Sequence, residues 1–131
     1  MQNIRWAVLG TGVIANEMAV VLKKNGRNID AVGNRTHEKA VAFAEKYGIK
    51  KVYDIYNDMF TDPDIDVIYI TTPHNTHINF MRRAIENGKH ILVEKSITLN
   101  SRELDEAIAL ADKKGVVIGE AMTIYHMPIY K

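Results

Sequence analysis

The sequence predicts an α/β fold: a doubly wound parallel sheet between two helical layers, a three-layer αβα arrangement with strand order 3-2-1-4-5-6. Three observations predict it. Short apolar runs rich in Val and Ile alternate from end to end with segments of helical spacing. The connections between them are short, and the first strand-to-helix junction carries Gly10-Thr11-Gly12-Val13-Ile14-Ala15. Parallel neighbours need crossovers and those crossovers are right-handed, so this alternation leaves few topologies beyond the Rossmann-type one.

The first strand runs from Ile4 to Leu9 and meets Gly10 and Gly12, after which Val13 to Lys24 has helical spacing. Gly10 permits the tight turn, Gly12 removes a Cβ that would hold a phosphate off the backbone, and Ala15 lets helix and strand pack closely. The first N–H groups of that helix have no partners within it. Gly10, Thr11, Gly12, Val13 and Ile14 therefore form a cradle that holds a pyrophosphate without a side-chain cation. The alternative is an ordinary glycine-rich turn with nothing bound, and the flanking strand and helix weigh against it because the fingerprint requires both.

Asn25-Gly26 stops the first helix, and Ile29 to Gly33 is the second strand. Thr36 caps a helix from His37 to Tyr47, which Gly48 ends. Lys51-Val52-Tyr53 is a short third strand, Ile55 to Phe60 a helical turn, and Asp62-Pro63-Asp64 a tight turn. Val67-Ile68-Tyr69-Ile70 is the most continuously apolar run and predicts a central strand. A helix from Ile78 to Asn87 ends at Gly88, and His90 to Val93 is the fifth strand. Asn100 and Glu103 form a capping pair for a helix that reaches Lys114 and closes at Gly115. Val116 to Ile118 is the sixth strand.

Composition narrows the function. A chain of 131 residues, 47% apolar, is one domain's worth. Seventeen Lys and Arg against sixteen Asp and Glu leave a net charge of +1, so neither nucleic acid nor an anionic membrane is an expected partner. No cysteine is present, which excludes disulfides, thiolate metal sites and cysteine nucleophiles. No apolar stretch has the length of a signal or a membrane span, and the expectation is a cytoplasmic protein. His74 and His77 lack a third ligand, while Asp62, Asp64 and Asp66 lack the glycine and glutamate of a calcium loop. No metal is expected.

In this topology a ligand lies across the carboxyl ends of the strands, at the switch between the first and fourth. The glycine turn meets there with Asn34, Arg35 and Thr36 after the second strand, with Thr71, Thr72, Pro73, Asn75 and His77 after the fourth, and with Glu94 and Lys95 at the fifth. The end of the second strand selects the nucleotide. An acid there binds ribose hydroxyls, and Arg accommodates a 2′-phosphate. Gly33-Asn34-Arg35-Thr36 has no acid; Asn34 suits a ribose hydroxyl and Arg35 offers a charged planar fork. NADP is the expected cofactor, with NAD the alternative if Arg35 is only a solvated side chain. Lys95 alone reads as a surface lysine; at the end of the fifth strand it instead lies toward the nicotinamide, where an ammonium binds a substrate oxygen and exchanges a proton with it. Glu94 beside it points elsewhere if strand alternation holds.

Arg5 to Ala15, Glu38-Lys39-Ala40, the Thr72-Pro73 to His77 loop, Gly88 to Lys95, and Glu120-Ala121-Met122 with Tyr125, His126 and Pro128 together resemble the glucose-fructose oxidoreductase/inositol dehydrogenase/rhizopine catabolism (Gfo/Idh/MocA) family. Trp6 and the Glu120-Ala121-Met122 segment look most like its dihydrodiol dehydrogenase-like branch. The resemblance implies that Lys95 contacts the reacting hydroxyl or carbonyl, that Thr72 and Pro73 lie beside the nicotinamide, and that Glu94 is near the cofactor. It implies a polyol- or sugar-like small-molecule substrate and a parent that is a homo-oligomer. Two departures stand out. Ser96 occupies the position of the family's proline, and for serine a cis bond costs several kcal/mol, which predicts that Lys95 is aimed differently or held by other contacts. Family members also run to more than twice this length.

The chain is therefore expected to be a cofactor domain over residues 1–120, with 121–131 opening the connection to a C-terminal substrate and dimerisation domain. Its Met122 to Tyr130 tail, with Tyr125 and His126, either packs on that domain or approaches the substrate. The expected function is hydride transfer between NADP(H) and an alcohol or carbonyl carbon of a sugar, cyclitol or dihydrodiol-like substrate, with the fragment alone inactive. The rival is a non-catalytic nucleotide-sensing module, which has no need of an ammonium at Lys95.

Overall fold

The computed structural model describes residues 4–121. The Met122 to Tyr130 tail, with Tyr125 and His126, lies outside the described residues. Among the described residues six parallel strands form one sheet: β1 (Trp6–Leu9), β2 (Ala31–Gly33), β3 (Lys51–Val52), β4 (Val67–Ile70), β5 (His90–Glu94) and β6 (Ile118–Ala121). Their order is β3-β2-β1-β4-β5-β6, as the alternation of elements predicts. Val8 faces Val32 on one side and Tyr69 on the other, so β1 and β4 meet at the sheet's centre. Four helices cover it: α1 (Val13–Lys24), α2 (His37–Tyr47), α3 (His77–Glu86) and α4 (Ser101–Lys114).

Strand alternation sends successive side chains to opposite cores. Val8 packs with Ala15 and Ala19 of α1 and with Ala40, Phe43 and Ala44 of α2. Its neighbours Ala7 and Leu9 face the other way, toward Met81, Ala84 and Ile85 of α3 and Ala107 and Ala111 of α4. All four residues of β4 are buried, as expected for a strand covered on both faces. Among the described residues no helix is long and apolar enough to cross a membrane.

Helix and strand ends follow local rules with some adjustments. Gly48 and Gly115 close α2 and α4 in the left-handed conformation, and Asn100 Oδ1 accepts from the Glu103 N–H at 2.9 Å. Thr36 stands at the start of α2 without a side-chain capping bond; its carbonyl takes the Asn34 amide at 3.1 Å instead. The sixth strand begins at Ile118 rather than Val116. The Val116 N–H closes α4 on Ala111 O and the Val117 N–H goes to His90 Nδ1, so side-by-side pairing with β5 starts at Ile91 and Ile118. The second and third strands are likewise shorter than the apolar runs, and Ile55 to Phe60 becomes a 3-10 turn at Tyr56–Thr61.

Candidate functional site

The strand ends of β1, β2 and β4 open onto a cavity of about 650 Å³. Gly10, Thr11, Gly12, Asn34, Arg35, Thr36, Thr71, Thr72 and Pro73 line it, so the structure brings together nine of the residues singled out from the sequence. Gly10 is buried at φ +106°, and any Cβ there would collide with the Thr71 hydroxyl. Thr71 in turn donates to Leu9 O at 2.9 Å, which ties the end of β4 to the end of β1 beneath the turn. Gly12 differs: nothing lies within 4 Å of where its Cβ would stand. Among the described residues the N–H groups of Gly12, Val13 and Ile14 donate to no protein acceptor. Gly12 lines the concavity, and unpaired N–H groups at a helix N-terminus are a fit for a diphosphate.

The cavity also carries cations in its lining. Arg35 and Lys39 line it, both exposed and without an ion-pair partner among the described residues. Sequence reasoning missed the aromatic walls, Phe43, Tyr56 and Phe80, because an apolar residue at helical spacing reads first as core. It also missed Asn16 and Lys46, which no motif marks.

The remaining singled-out residues stand apart from this lining. Val13 is 74% exposed and borders a neighbouring hollow along α1, Ile14 is exposed beside it, and Asn75 is exposed in the turn before α3. His77 is fully buried. Its Nδ1 lies 2.8 Å from Ser96 O and its Nε2 2.9 Å from Thr72 O, so one imidazole links the loop after β4 to the loop after β5. The Glu94 carboxylate accepts from the Tyr69 hydroxyl, which burial and that bond hold protonated far above the ordinary range. Glu94 thus turns toward the α1 and α2 side.

Lys95 is exposed immediately beyond β5 and makes no hydrogen bond or ion pair among the described residues. The Lys95–Ser96 peptide bond is cis, where serine predicts trans. Two contacts hold the loop that carries it: His77 on Ser96 O, and the Glu120 carboxylate, which accepts from the Ile97 N–H at 2.8 Å.

Known proteins share this fold. A family profile described as an oxidoreductase family with an NAD-binding Rossmann fold, Gfo/Idh/MocA, matches residues 4–122. The trans-1,2-dihydrobenzene-1,2-diol dehydrogenase of Xenopus laevis is 36% identical over 130 residues, covering 97% of this chain and 39% of that protein. KijD10, a 3-ketoreductase from Actinomadura kijaniata solved with TDP-benzene and NADP in an open conformation, superposes with a TM-score of 0.89 at 27% identity, covering 98% of this chain and 41% of that one. GenD2 from gentamicin A biosynthesis, solved with NAD, shares the fold at a TM-score of 0.89 and 24% identity, with 98% and 37% covered. The chain spans about two fifths of the length of these relatives.

Proposed function

The chain belongs to the Gfo/Idh/MocA oxidoreductase family, whose NAD(P)-binding Rossmann domain it forms, and on that premise we propose that its protein transfers hydride between NADP(H) and an alcohol or carbonyl carbon of a small polyol, sugar or dihydrodiol-like substrate. The observation that carries the proposal is the open glycine turn, whose N–H groups are unpaired among the described residues and whose Gly10, Thr11 and Gly12 share one cavity lining with Arg35 and Lys39. Gly10, Thr11, Gly12, Val13 and Ile14 take the diphosphate, because partial positive charge at a helix start favours an anion. Asn34, Arg35 and Thr36 take the adenosine ribose and its phosphate. The guanidinium supplies a planar fork for phosphate that no acid at this position opposes. Thr71, Thr72, Pro73 and Asn75 take the nicotinamide side, with His77 and Glu94 acting from behind it.

When bound, the dinucleotide supplies a carbon that accepts or returns a hydride. Lys95 does the proton chemistry: its ammonium holds the substrate oxygen, gives a proton to it when a carbonyl is reduced, and takes one back when an alcohol is oxidised. Support for a carbonyl- or diol-directed reaction comes from the ketoreductase and dihydrodiol dehydrogenase among its relatives. Arg35 supports NADP over NAD, while among the similar structures KijD10 was solved with NADP and GenD2 with NAD.

Titrating NADPH and NADH separately against nicotinamide fluorescence tests the cofactor. The expected outcome is tighter binding of NADPH and its loss of preference in Arg35→Ala; equal wild-type affinities remove the role given to Arg35. In the active enzyme Lys95→Ala is expected to lower kcat by at least about 100-fold while leaving NADPH affinity unchanged. Retained turnover would assign the proton to another group.

A further inference from the structure

The glycine turn is held from below by a side chain that no motif marks. Asn16, one turn into α1 and half-buried, donates from Nδ2 to Gly12 O at 2.8 Å and to Thr11 O at 3.3 Å. Its Oδ1 accepts from the Tyr47 hydroxyl at 2.5 Å and from Lys46 Nζ at 3.3 Å, both in the last turn of α2. The amide is therefore fully oriented: oxygen toward α2, nitrogen toward the turn.

This orientation reaches the anion site through the peptide plane. A trans peptide is rigid and its C=O and N–H point in opposite directions. Thr11 O and the Gly12 N–H share one plane, and Gly12 O and the Val13 N–H share the next. Asn16 Nδ2 holds both carbonyls, the Gly12 carbonyl accepting also from the Asn16 backbone N–H at 3.1 Å, so the two N–H groups of these planes point away from Asn16, and among the described residues neither has a protein acceptor. Glycine at 12 makes this restraint more important, because glycine has the widest choice of backbone conformations.

We infer that Asn16 is a positioning residue for the diphosphate, orienting the Gly12 and Val13 N–H groups, and that Tyr47 and Lys46 hold its amide in the required sense. The inference rests on the dinucleotide reading of the cavity and adds to it a set of residues from α2. Lys46 lines both the main cavity and the hollow along α1, so its ammonium also lies beside the turn.

The test compares ligands that contain the diphosphate with one that does not. In the intact protein, Asn16→Ala is expected to weaken NADPH, NADH and ADP-ribose alike, by roughly tenfold for the loss of two hydrogen bonds that order the turn. Binding of 2′-AMP, followed by NMR shift perturbation, is expected to stay within twofold of wild type. Tyr47→Phe, which keeps the ring and frees the amide to flip, is expected to give a smaller loss of roughly threefold. Its effect should vanish in the Asn16→Ala background, because Tyr47 acts through Asn16. The Gly12 and Val13 amide resonances should move in both variants.

Equal weakening of 2′-AMP and NADPH would mean that Asn16 only supports the fold and would overturn the inference, as would unchanged NADPH affinity in Asn16→Ala. Additive losses from the two substitutions would remove Tyr47 from the proposal. If wild-type protein binds none of the three diphosphate ligands, the dinucleotide reading itself fails and takes the inference with it. Binding by wild type that is undiminished in Asn16→Ala defeats the inference alone.

Discussion

Gly10 and Gly12 stand in one turn but answer to different constraints. Gly10 needs both its positive φ and its missing Cβ, since Thr71 fills the space a side chain would take. Gly12 has φ −79° and open space around it, so the chain itself tolerates a methyl there and only a ligand is excluded by it. Gly10→Ala is therefore expected to lower the melting temperature as well as dinucleotide affinity, whereas Gly12→Ala weakens NADPH binding at least about tenfold with an unchanged melting temperature. Paired thermal melts and titrations check this, and a Gly12→Ala variant that melts early would contradict it. His77 shows the same division between contact and support. Because its two nitrogens face Thr72 O and Ser96 O, His77→Ala is expected to remove the imidazole link between the two loops at roughly 1–3 kcal/mol of stability. His77→Gln, whose amide can donate to one of the two carbonyls, should recover part of that loss in chemical denaturation.

At the scale of elements, α4 offers the cleanest test of local coding. Asn100 accepts from the Glu103 N–H, and the Glu103 carboxylate accepts in return from the Leu99 N–H at 3.1 Å. Asn100→Ala is expected to cost about 1 kcal/mol and to raise hydrogen exchange first in the opening turn of α4. Uniform exchange along the helix would show that packing on α3, not the cap, sets its stability. The bond between Arg82 of α3 and Glu106 of α4 joins two partly exposed side chains and adds little to that packing. The late start of β6 belongs at this scale too. Val116 and Val117 have the composition of a strand, but their N–H groups are already directed to Ala111 O and His90 Nδ1. Strand propensity read along the chain does not see those competing acceptors.

At the scale of the whole molecule, a polar network ties Asp62 to Lys51 and Tyr53, and Asp66 to Arg5. Asp62 is buried; burial alone would raise its carboxyl, but hydrogen bonds from the Lys51 ammonium, the Tyr53 hydroxyl and the Asp64 N–H hold it down from 3.8 to about 2. Arg5 holds Asp66 below the usual carboxylate range through its own hydrogen bonds. A carboxylate with a depressed pKa in the fold stabilises it above its unfolded value, and that contribution is lost as the pH falls. The contribution of these two carboxylates is expected to be complete above about pH 5 and to fall between about pH 4 and pH 2. In Lys51→Met that slope should shrink, measured by urea denaturation at several pH values; an unchanged slope would place the acid sensitivity elsewhere. At the sheet's centre, Ile70 has no exposed surface, and Ile70→Ala is expected to cost about 3 kcal/mol.

The amino-acid order by itself determined the sequence of elements, the strand order, the glycine turn and the capping pair of α4. These follow from periodicity, from residue-specific backbone preferences and from the handedness of crossovers, all of which act over a few residues or hold for any chain of this pattern. Only the tertiary structure decided which side chains share the cavity and which stand behind it. Phe43, Tyr56 and Phe80 have become its walls, His77 has gone inside to join two loops, and Asn16 has met Tyr47 from a helix 31 positions away. Those outcomes depend on the direction of each side chain after distant segments have packed, and no local pattern in the chain encodes that direction.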